Sequence, residues 1–211
     1  MSDWSSRAEA YRNAPEQREG ADLDLIVRWA EGSRTALDVA TGGGHVARRL
    51  RDAGLQVVSA DPAPGMQPDV ICRAEDLPFA DGAFDLVVSR IAPHHFEDVA
   101  AAVAEMARVA NDLVVLEDTL YVSEEVEKAE RLRDPTHVRS YSEEEWRALL
   151  EAAGLEVEEI DAFEKRHPLE AWLDRSATPD DDRPRVIELL AGQIEGNEYV
   201  DTKLVLKARK R

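Results

Sequence analysis

Three consecutive glycines, Gly42–Gly44, separate an apolar run from a helical pattern. The run TALDVA, residues 35–40, suits a buried strand, and HVARRLRDAG, residues 45–54, suits a helix closed by its final glycine. Glycine has no Cβ atom, so it permits a sharp turn and a close approach of the backbone to a ligand. Backbone N–H groups at a helix start favour negative charge. The stretch therefore predicts a nucleotide-type binding loop at the carboxyl end of a parallel strand.

Two carboxylates accompany this loop and leave two cofactors open. Residues 42–47, GGGHVA, satisfy the G-x-G-x-x-A pattern of dinucleotide-binding loops, and Asp61 follows Gly42 by 19 positions at the end of the next predicted strand. The same spacing suits S-adenosylmethionine, whose two ribose hydroxyls would donate hydrogen bonds to Asp61. Asp38 precedes the loop, where its carboxylate would orient the loop and the amino group of the cofactor.

The elements that position these residues alternate between helices and apolar strands through the first half of the chain. A helical pattern over residues 22–31 is followed by predicted strands at residues 35–40, 55–61, 69–72, 84–90 and 113–118. This alternation predicts an α/β doubly wound sheet, mostly parallel and covered on both faces.

The second half of the chain is richer in charged helices. One is predicted at residues 123–134 and another at 141–154, where Ser142 and Glu145 form a capping box. In residues 155–163, LEVEEIDAF, apolar and polar side chains alternate, which predicts a strand with one solvent-exposed face. Two short helices and a last alternating strand, TKLVLKARK, complete the pattern.

The crossover between the second and third predicted strands is too short for a helix. Only seven residues, PAPGMQP, lie between Asp61 and Asp69, whereas a parallel crossover needs about a dozen or more. We expect a missing helix, a stunted strand DVIC at or near the sheet edge, and a partly bare sheet face. Another segment of the chain, or the second subunit of a homodimer, would cover that face.

Four segments together resemble class I S-adenosylmethionine-dependent methyltransferases of the small-molecule type: LDVATGGGHVA, AEDLPF, RIAPHHF and RDPTHVRSYSEEEW. They are similar to a bacterial methyltransferase-11-like group related to the quinone C-methyltransferases, whose members mostly lack an assigned substrate. The resemblance covers roughly residues 20–211. It implies S-adenosyl-L-methionine as cofactor, a small organic acceptor, and one Rossmann-like domain over residues 1–211. That domain would have a seven-stranded sheet with an antiparallel last strand, an N-terminal helical cap over 1–31, and lid segments at 119–140 and 164–200 over the acceptor.

The resemblance also assigns cofactor-binding roles. The methionine end of the cofactor maps onto Asp38, Ala40, Gly42 and Gly44, with Ala40 in place of the family's first glycine. The ribose maps onto Asp61, the adenine onto Pro62 and Ala74, and further contacts onto Glu75, Arg90 and Tyr11. Arg73 departs from the pattern, because arginine only donates hydrogen bonds where the family has an acceptor for the adenine amino group. Glu75 or Asp76 would serve as the substitute acceptor, and stacking of Arg73 on the ring is the alternative.

Histidines after the fourth predicted strand are the candidates for the chemistry. A methyl transfer mainly requires an aligned nucleophile and the exclusion of water, and it needs a base only when the nucleophile must lose a proton. His94 is the preferred base, with His95 beside it, because histidine titrates near neutral pH. His137 is the second catalytic candidate and is expected to line the acceptor pocket. Each ring has a structural alternative, in which it only packs or caps a backbone carbonyl.

Two other functions stay open at this point. An NAD-dependent oxidoreductase would use the same glycine loop, but we identify no tyrosine–lysine pair for hydride transfer. A non-catalytic S-adenosylmethionine-binding protein would tolerate both the short crossover and Arg73.

The amino-acid composition argues against several classes of binding partner. The chain has 44 acidic and 26 basic residues, a net charge of −18, which disfavours nucleic acid and anionic membranes as partners. No apolar run suits insertion into a membrane, and residues 180–182, three adjacent aspartates, form a solvated turn rather than a metal site. A single cysteine and an N-terminus without a signal-peptide pattern predict a cytoplasmic location.

Overall fold

The computed structural model of the protein describes residues 4–13 and 15–211, so residues 1–3 and 14 of the predicted N-terminal cap lie outside the described residues. The helices, numbered in chain order, are α1 (Trp4–Asn13), α2 (Pro15–Arg18), α3 (Ala21–Trp29), α4 (His45–Asp52), α5 (Val99–Val109), α6 (Glu124–Arg133), α7 (Glu143–Ala152), α8 (Leu169–Arg175) and α9 (Arg183–Leu189). The strands are β1 (Thr35–Val39), β2 (Gln56–Asp61), β3 (Val70–Ile71), β4 (Phe84–Arg90), β5 (Ala110–Thr119), β6 (Leu155–Pro168), β7 (Ile194–Glu195) and β8 (Glu198–Lys210). Among the described residues, no helix combines the length and the apolarity needed to cross a bilayer.

Seven strands form one continuous sheet in the order β3-β2-β1-β4-β5-β8-β6, and the two-residue β7 pairs only with β8. The first five strands are parallel, while β8 runs antiparallel between β5 and β6. The predicted doubly wound sheet with an antiparallel last strand is confirmed. The strand order reverses between β1 and β4, and the carboxyl ends of strands at such a switch point are where open α/β sheets bind ligands.

Helices cover both faces of the sheet and bury its strands. On one face, α5 and α7 pack on the sheet through Met106, Trp146 and Leu150. On the other face, α3 and α4 pack through residues such as Ile26 and Leu50. The capping box at the start of α7 is present, with Glu145 N–H donating to Ser142 Oγ and the Glu145 carboxylate accepting from Ser142 N–H.

The short crossover folds as predicted. Only a 3₁₀ turn, Pro64–Met66, lies between β2 and β3, and β3 is a two-residue strand at the sheet edge whose Ile71 is 61% exposed. Helix α1 packs on this turn, where Ala8, Ala63 and Met66 form a small apolar cluster. A segment from the N-terminal region therefore occupies part of the space that a crossover helix would fill.

The strands near the C-terminus are longer than the sequence pattern indicates. β6 continues to Pro168 and β8 begins at Glu198, so residues 164–168 and 198–200 of the predicted lid belong to the sheet. Their pairing, as in His167 with Tyr199, is made by backbone groups and needs no apolar alternation, which is why the pattern missed it. The segment between these strands folds into α8 and α9, which share an apolar cluster with α6 through Val126, Trp172 and Val186.

The central strand β1 should govern stability. We expect Leu37→Ala to lower the free energy of unfolding by about 3 kcal/mol, because Leu37 is fully buried and its loss leaves a cavity in the core. Urea unfolding measures the loss, with Val122→Ala as the control, since Val122 is 48% exposed. Equal losses in the two variants would contradict this account of the core.

Candidate active site

A cavity of about 810 Å³ opens at the carboxyl ends of β1, β2, β4 and β5. It reaches from the glycine loop on one side to α6, α8 and the start of β8 on the other. Cavities of roughly 300–1,000 Å³ hold ligands of drug size, so this cavity has room for a nucleotide-like molecule with a small partner beside it.

The glycine loop turns through three left-handed residues, Ala40, Gly42 and Gly44, with φ of 55°, 49° and 72°. Asp38 holds the two sides of this turn together, because its Oδ2 accepts hydrogen bonds from Thr41 Oγ1 at 2.5 Å and from Ala47 N–H at 3.0 Å. Burial raises the pKa of Asp38 to about 6. The carboxylate therefore shapes the loop, as well as lining the cavity.

Gly43 is the tightest point of the loop. A Cβ atom there would lie 2.6 Å from His45 Nε2 and 2.9 Å from the carbonyl oxygen of Tyr11. His45 Nε2 itself lies 3.0 Å from that oxygen, and Arg12 Nη1 donates to the carbonyl of Gly65 at 2.7 Å. Helix α1 thus lies directly over the loop and brings Tyr11 into the wall of the cavity.

Asp61 ends β2 and faces the cavity with part of its bonding capacity unused. Its Oδ2 accepts from Gly42 N–H at 3.0 Å and its Oδ1 from Ala63 N–H at 2.9 Å. An ionised carboxylate has about four lone-pair sites, so about two remain for the hydroxyls of a ribose. Burial raises the pKa of Asp61, and the two N–H bonds oppose that shift. The residues present here fit a ribose-containing cofactor.

Arg73 lies near the Asp61 end of the cavity, where carboxylates pair with its guanidinium. Arg73 is exposed and forms ion pairs with Glu75 at 3.2 Å and with Glu97 at 3.1 Å. Glu75 Oε1 also accepts from Glu97 N–H at 3.0 Å. The charge of Arg73 is therefore directed to neighbouring carboxylates, while Pro62 and Ala74 line the cavity beside it.

Arg90 lines the cavity but is held mainly by structural partners. Its guanidinium forms ion pairs with Asp22 of α3 at 2.5 Å and with Glu117 of β5 at 2.8 Å, and Lys165 of β6 reaches the same Asp22 at 2.6 Å. Burying charges is costly unless they are paired, and this network satisfies that condition. Arg90 ties α3 to the sheet below the cavity.

His94 makes the contact that matters most for chemistry. Its Nδ1 lies 2.5 Å from Asp118 Oδ1, and both side chains are buried. Burial lowers the pKa of His94 and raises that of Asp118 to about 7. Above that pH the pair carries one proton between Nδ1 and Oδ1, which leaves the lone pair of the ring at Nε2. Asp118 is not among the residues predicted from the sequence, although it lies near the carboxyl end of β5, next to β4, and the ends of neighbouring parallel strands meet.

The other two histidines of this wall have different partners. His137 Nε2 lies 3.1 Å from Glu127 Oε2, and its ring centroid is 5.4 Å from that of His94. His95 Nδ1 lies 3.0 Å from the carbonyl oxygen of Thr136, and its ring meets Trp4 of α1 edge-on at 4.7 Å. These contacts join α1 to the segment that follows α6.

The cavity brings together twelve of the thirteen predicted site residues. Gly44, the N-cap residue of α4, does not line it, whereas Gly43 does. The twelve are Tyr11, Asp38, Ala40, Gly42, Asp61, Pro62, Arg73, Ala74, Glu75, Arg90, His94 and His137.

Comparisons with known proteins agree on one family. Residues 37–116 match the family model described as a methyltransferase domain. The chain is 33% identical over 209 residues to the uncharacterized methyltransferase YcgJ of Bacillus subtilis, across 87% of this chain and 82% of that protein. It is 37% identical over 99 residues to a demethylmenaquinone methyltransferase of Beutenbergia cavernae, across 42% of this chain and 40% of that protein. The crystal structure of YcgJ superposes with a TM-score of 0.80 at 27% identity, covering 90% of this chain and 98% of that structure.

The chain therefore belongs to the methyltransferase family and is an S-adenosylmethionine-dependent methyltransferase with the Rossmann-like fold. This decides between the two cofactors that the glycine loop left open. It also favours an enzyme over a protein that only binds the cofactor.

The close contact at Gly43 should matter for cofactor binding. We expect Gly43→Ala to weaken binding of S-adenosylhomocysteine about tenfold, or 1.4 kcal/mol, because the added Cβ pushes α1 off the loop. Calorimetry measures the affinity, and hydrogen exchange should show faster exchange in α1. Gly192→Ala is the control, since a Cβ there meets nothing within 4 Å. Unchanged affinity in Gly43→Ala would show that α1 does not support the site.

Proposed function

We propose that the protein methylates a small polar acceptor whose nucleophilic atom must lose a proton, and that His94 removes this proton. The observation that carries the proposal is the contact of His94 Nδ1 with Asp118 at 2.5 Å in the wall of the cavity. With Nδ1 engaged, Nε2 is the ring atom left for an acceptor. A hydroxyl, an amine or an acidic C–H group would meet this requirement.

The cofactor is assigned to the glycine-loop side of the cavity. Asp38, Ala40 and Gly42 would hold its methionine end, with Gly43 taking the place first given to Gly44. Asp61 would accept hydrogen bonds from the ribose hydroxyls, and Pro62 with Ala74 would flank the adenine. The two free bonding positions of Asp61 and the tight packing at Gly43 support this placement.

When bound, S-adenosylmethionine supplies an electrophilic methyl group on a sulfonium. His94 Nε2 accepts the proton of the acceptor as the new bond forms, and Asp118 stabilises the positive charge that develops on the ring. Helix α1, through Trp4 and Tyr11, covers the cavity and limits the access of water. His137 assists by holding the loop beside His94 through its contact with Glu127.

The acceptor side is assigned to the predicted lid, with its second part shortened to residues 169–197. Arg133 at the end of α6 and Trp172 of α8 support this assignment, because both line the cavity. The guanidinium of Arg133 stacks on the Trp172 ring at 4.1 Å, so the two parts of the lid contact each other at the site.

Asp61 provides a direct test of the cofactor placement. We expect Asp61→Asn to weaken binding of S-adenosylhomocysteine by about tenfold to a hundredfold, because an amide replaces an ionised acceptor of two hydroxyl bonds. Asp85→Asn is the matched control. Asp85 also accepts bonds from two backbone N–H groups, of Arg34 and Thr35, but it lies at the opposite end of the sheet. Equal affinities of Asp61→Asn and the wild type in calorimetry would refute the placement.

The His94–Asp118 pair should titrate near neutral pH. Below about pH 7 Asp118 takes up a proton and no longer stabilises positive charge on the ring, so His94 is a weaker base, and above that pH Asp118 is ionised. We expect the ¹⁵N resonances of His94 to shift through a transition near pH 7, and the rate of methyl transfer to rise through the same range. The groups that face the pair are His95, His137, Glu130, Arg133 and Lys203.

Asp118→Asn should remove that transition, because an amide does not titrate. Glu105→Gln is the control, since Glu105 is a carboxylate on α5 that bonds Arg108, away from the cavity. If the His94 resonances of Asp118→Asn titrate as in the wild type, Asp118 does not control His94.

A further inference from the structure

Lys203 and Asp201 of β8 form a buried polar cluster with Thr119 at the end of β5. Lys203 Nζ donates to Thr119 Oγ1 at 2.6 Å and to Asp201 Oδ2 at 2.7 Å. The two charged residues are only 4% and 7% exposed, and all three line the cavity on its acceptor side. A buried ion pair seldom adds stability over apolar residues of the same size, so stability alone gives little reason for this one.

The cluster leaves one acceptor and one donor without a partner. Among residues 4–13 and 15–211, no group donates a hydrogen bond to Asp201 Oδ1, which is fully buried. An ammonium has three N–H donors, and the hydrogen bonds of Lys203 within this part of the chain use two. Burial opposes ionisation of Asp201, but the neighbouring ammonium outweighs it and holds the pKa of Asp201 below its usual range. Asp201 can therefore only accept.

Glu130 and Arg133 of this wall are paired, whereas neither ring nitrogen of His167 has a hydrogen-bond partner among the described residues. Glu130 accepts from Arg133 Nε at 2.9 Å and from the Tyr199 hydroxyl at 3.1 Å, and Arg133 also bonds Ser176. His167 lies beside the cluster, with Nε2 3.4 Å from Asp201 Oδ2. This end of the cavity therefore has one lysine N–H and one carboxylate oxygen, Asp201 Oδ1, that lack partners. Because Oδ1 is shielded from solvent, the Asp201 carboxylate must rotate to accept a hydrogen bond from a ligand.

We propose that Lys203 and Asp201 select the methyl acceptor by binding its polar end. The acceptor then carries a carboxylate or carbonyl oxygen, for Lys203, next to an O–H or N–H group, for Asp201, as in 2-hydroxy acids and 2-amino acids. This inference rests on the proposed function, because it places the acceptor opposite the glycine loop. A quinone with a hydrocarbon tail lacks the donor and would leave Asp201 without a hydrogen-bond partner from the ligand.

The test is calorimetry on the wild-type protein saturated with S-adenosylhomocysteine, with matched probes. Mandelate and phenylglycine carry the donor, O-methylmandelate lacks it, and menadione represents an apolar quinone. We expect mandelate or phenylglycine to bind, and O-methylmandelate to bind about tenfold to a hundredfold more weakly than mandelate, since a bond to a charged group is lost. Binding of menadione without either acid, or binding of no probe at all, would overturn the inference.

Substitutions of Lys203 and Asp201 test whether these two residues cause the difference in probe binding. Lys203→Met should weaken acid binding about tenfold or more, and Asp201→Asn should abolish the discrimination between mandelate and O-methylmandelate. Lys207→Met is the control, because Lys207 lies on the same strand and pairs with Glu159 at 2.7 Å, away from the cavity. Binding of S-adenosylhomocysteine is measured for every variant to verify folding. Failure of the wild type to bind it would refute the proposed function, whereas normal binding without acid binding refutes only this inference.

Discussion

The hydrogen bond from Gly42 N–H to the Asp61 carboxylate is the interaction on which the cofactor side of the structure depends. It joins the loop after β1 to the end of β2, so the two strands present one continuous surface to the cavity. Asp38 supplies the second tie, because it bonds both Thr41 in the loop and Ala47 in α4. These carboxylates lose solvation on burial, and backbone N–H groups replace part of it. The cofactor loop is therefore shaped before any ligand arrives.

Helix α1 compensates for the short crossover between β2 and β3. The short crossover after β2 leaves no helix at that edge, and α1 packs on the 3₁₀ turn that remains. The same helix crosses Gly43 and meets His95 through Trp4. It also reaches the far side of the cavity, where Arg7 bonds Asp134 at 3.1 Å. One segment thus packs on the turn beside the sheet edge and covers the cofactor loop, which couples local stability to binding.

The buried charged residues form two groups, one that joins helices and strands and one that lines the acceptor side of the cavity. Arg90, Asp22, Glu117 and Lys165 pair with one another below the cavity and connect α3, β4, β5 and β6. Around the acceptor side, the ion pair of Lys203 with Asp201 keeps bonding capacity that the fold does not use. Buried ion pairs hold elements in place, and a buried polar atom without a partner is costly unless a ligand completes its bonds. The first group therefore joins helix and strands, whereas Lys203 and Asp201 line the cavity on its acceptor side.

The sequence alone determined the features that arise from neighbouring residues. Strand and helix patterns, the glycine turn, the capping box of Ser142 with Glu145 and the short crossover are all local. They led to a doubly wound, mostly parallel sheet with a short strand at or near its edge. The tertiary structure decided which distant residues meet: His94 with Asp118, Arg90 with Asp22, and Gly43 with α1. It also lengthened β6 and β8, because strand pairing is made by backbone groups that carry no sequence signal. Contacts between residues that are far apart in the sequence depend on how the elements pack, and the periodicity of the sequence contains no information about that packing.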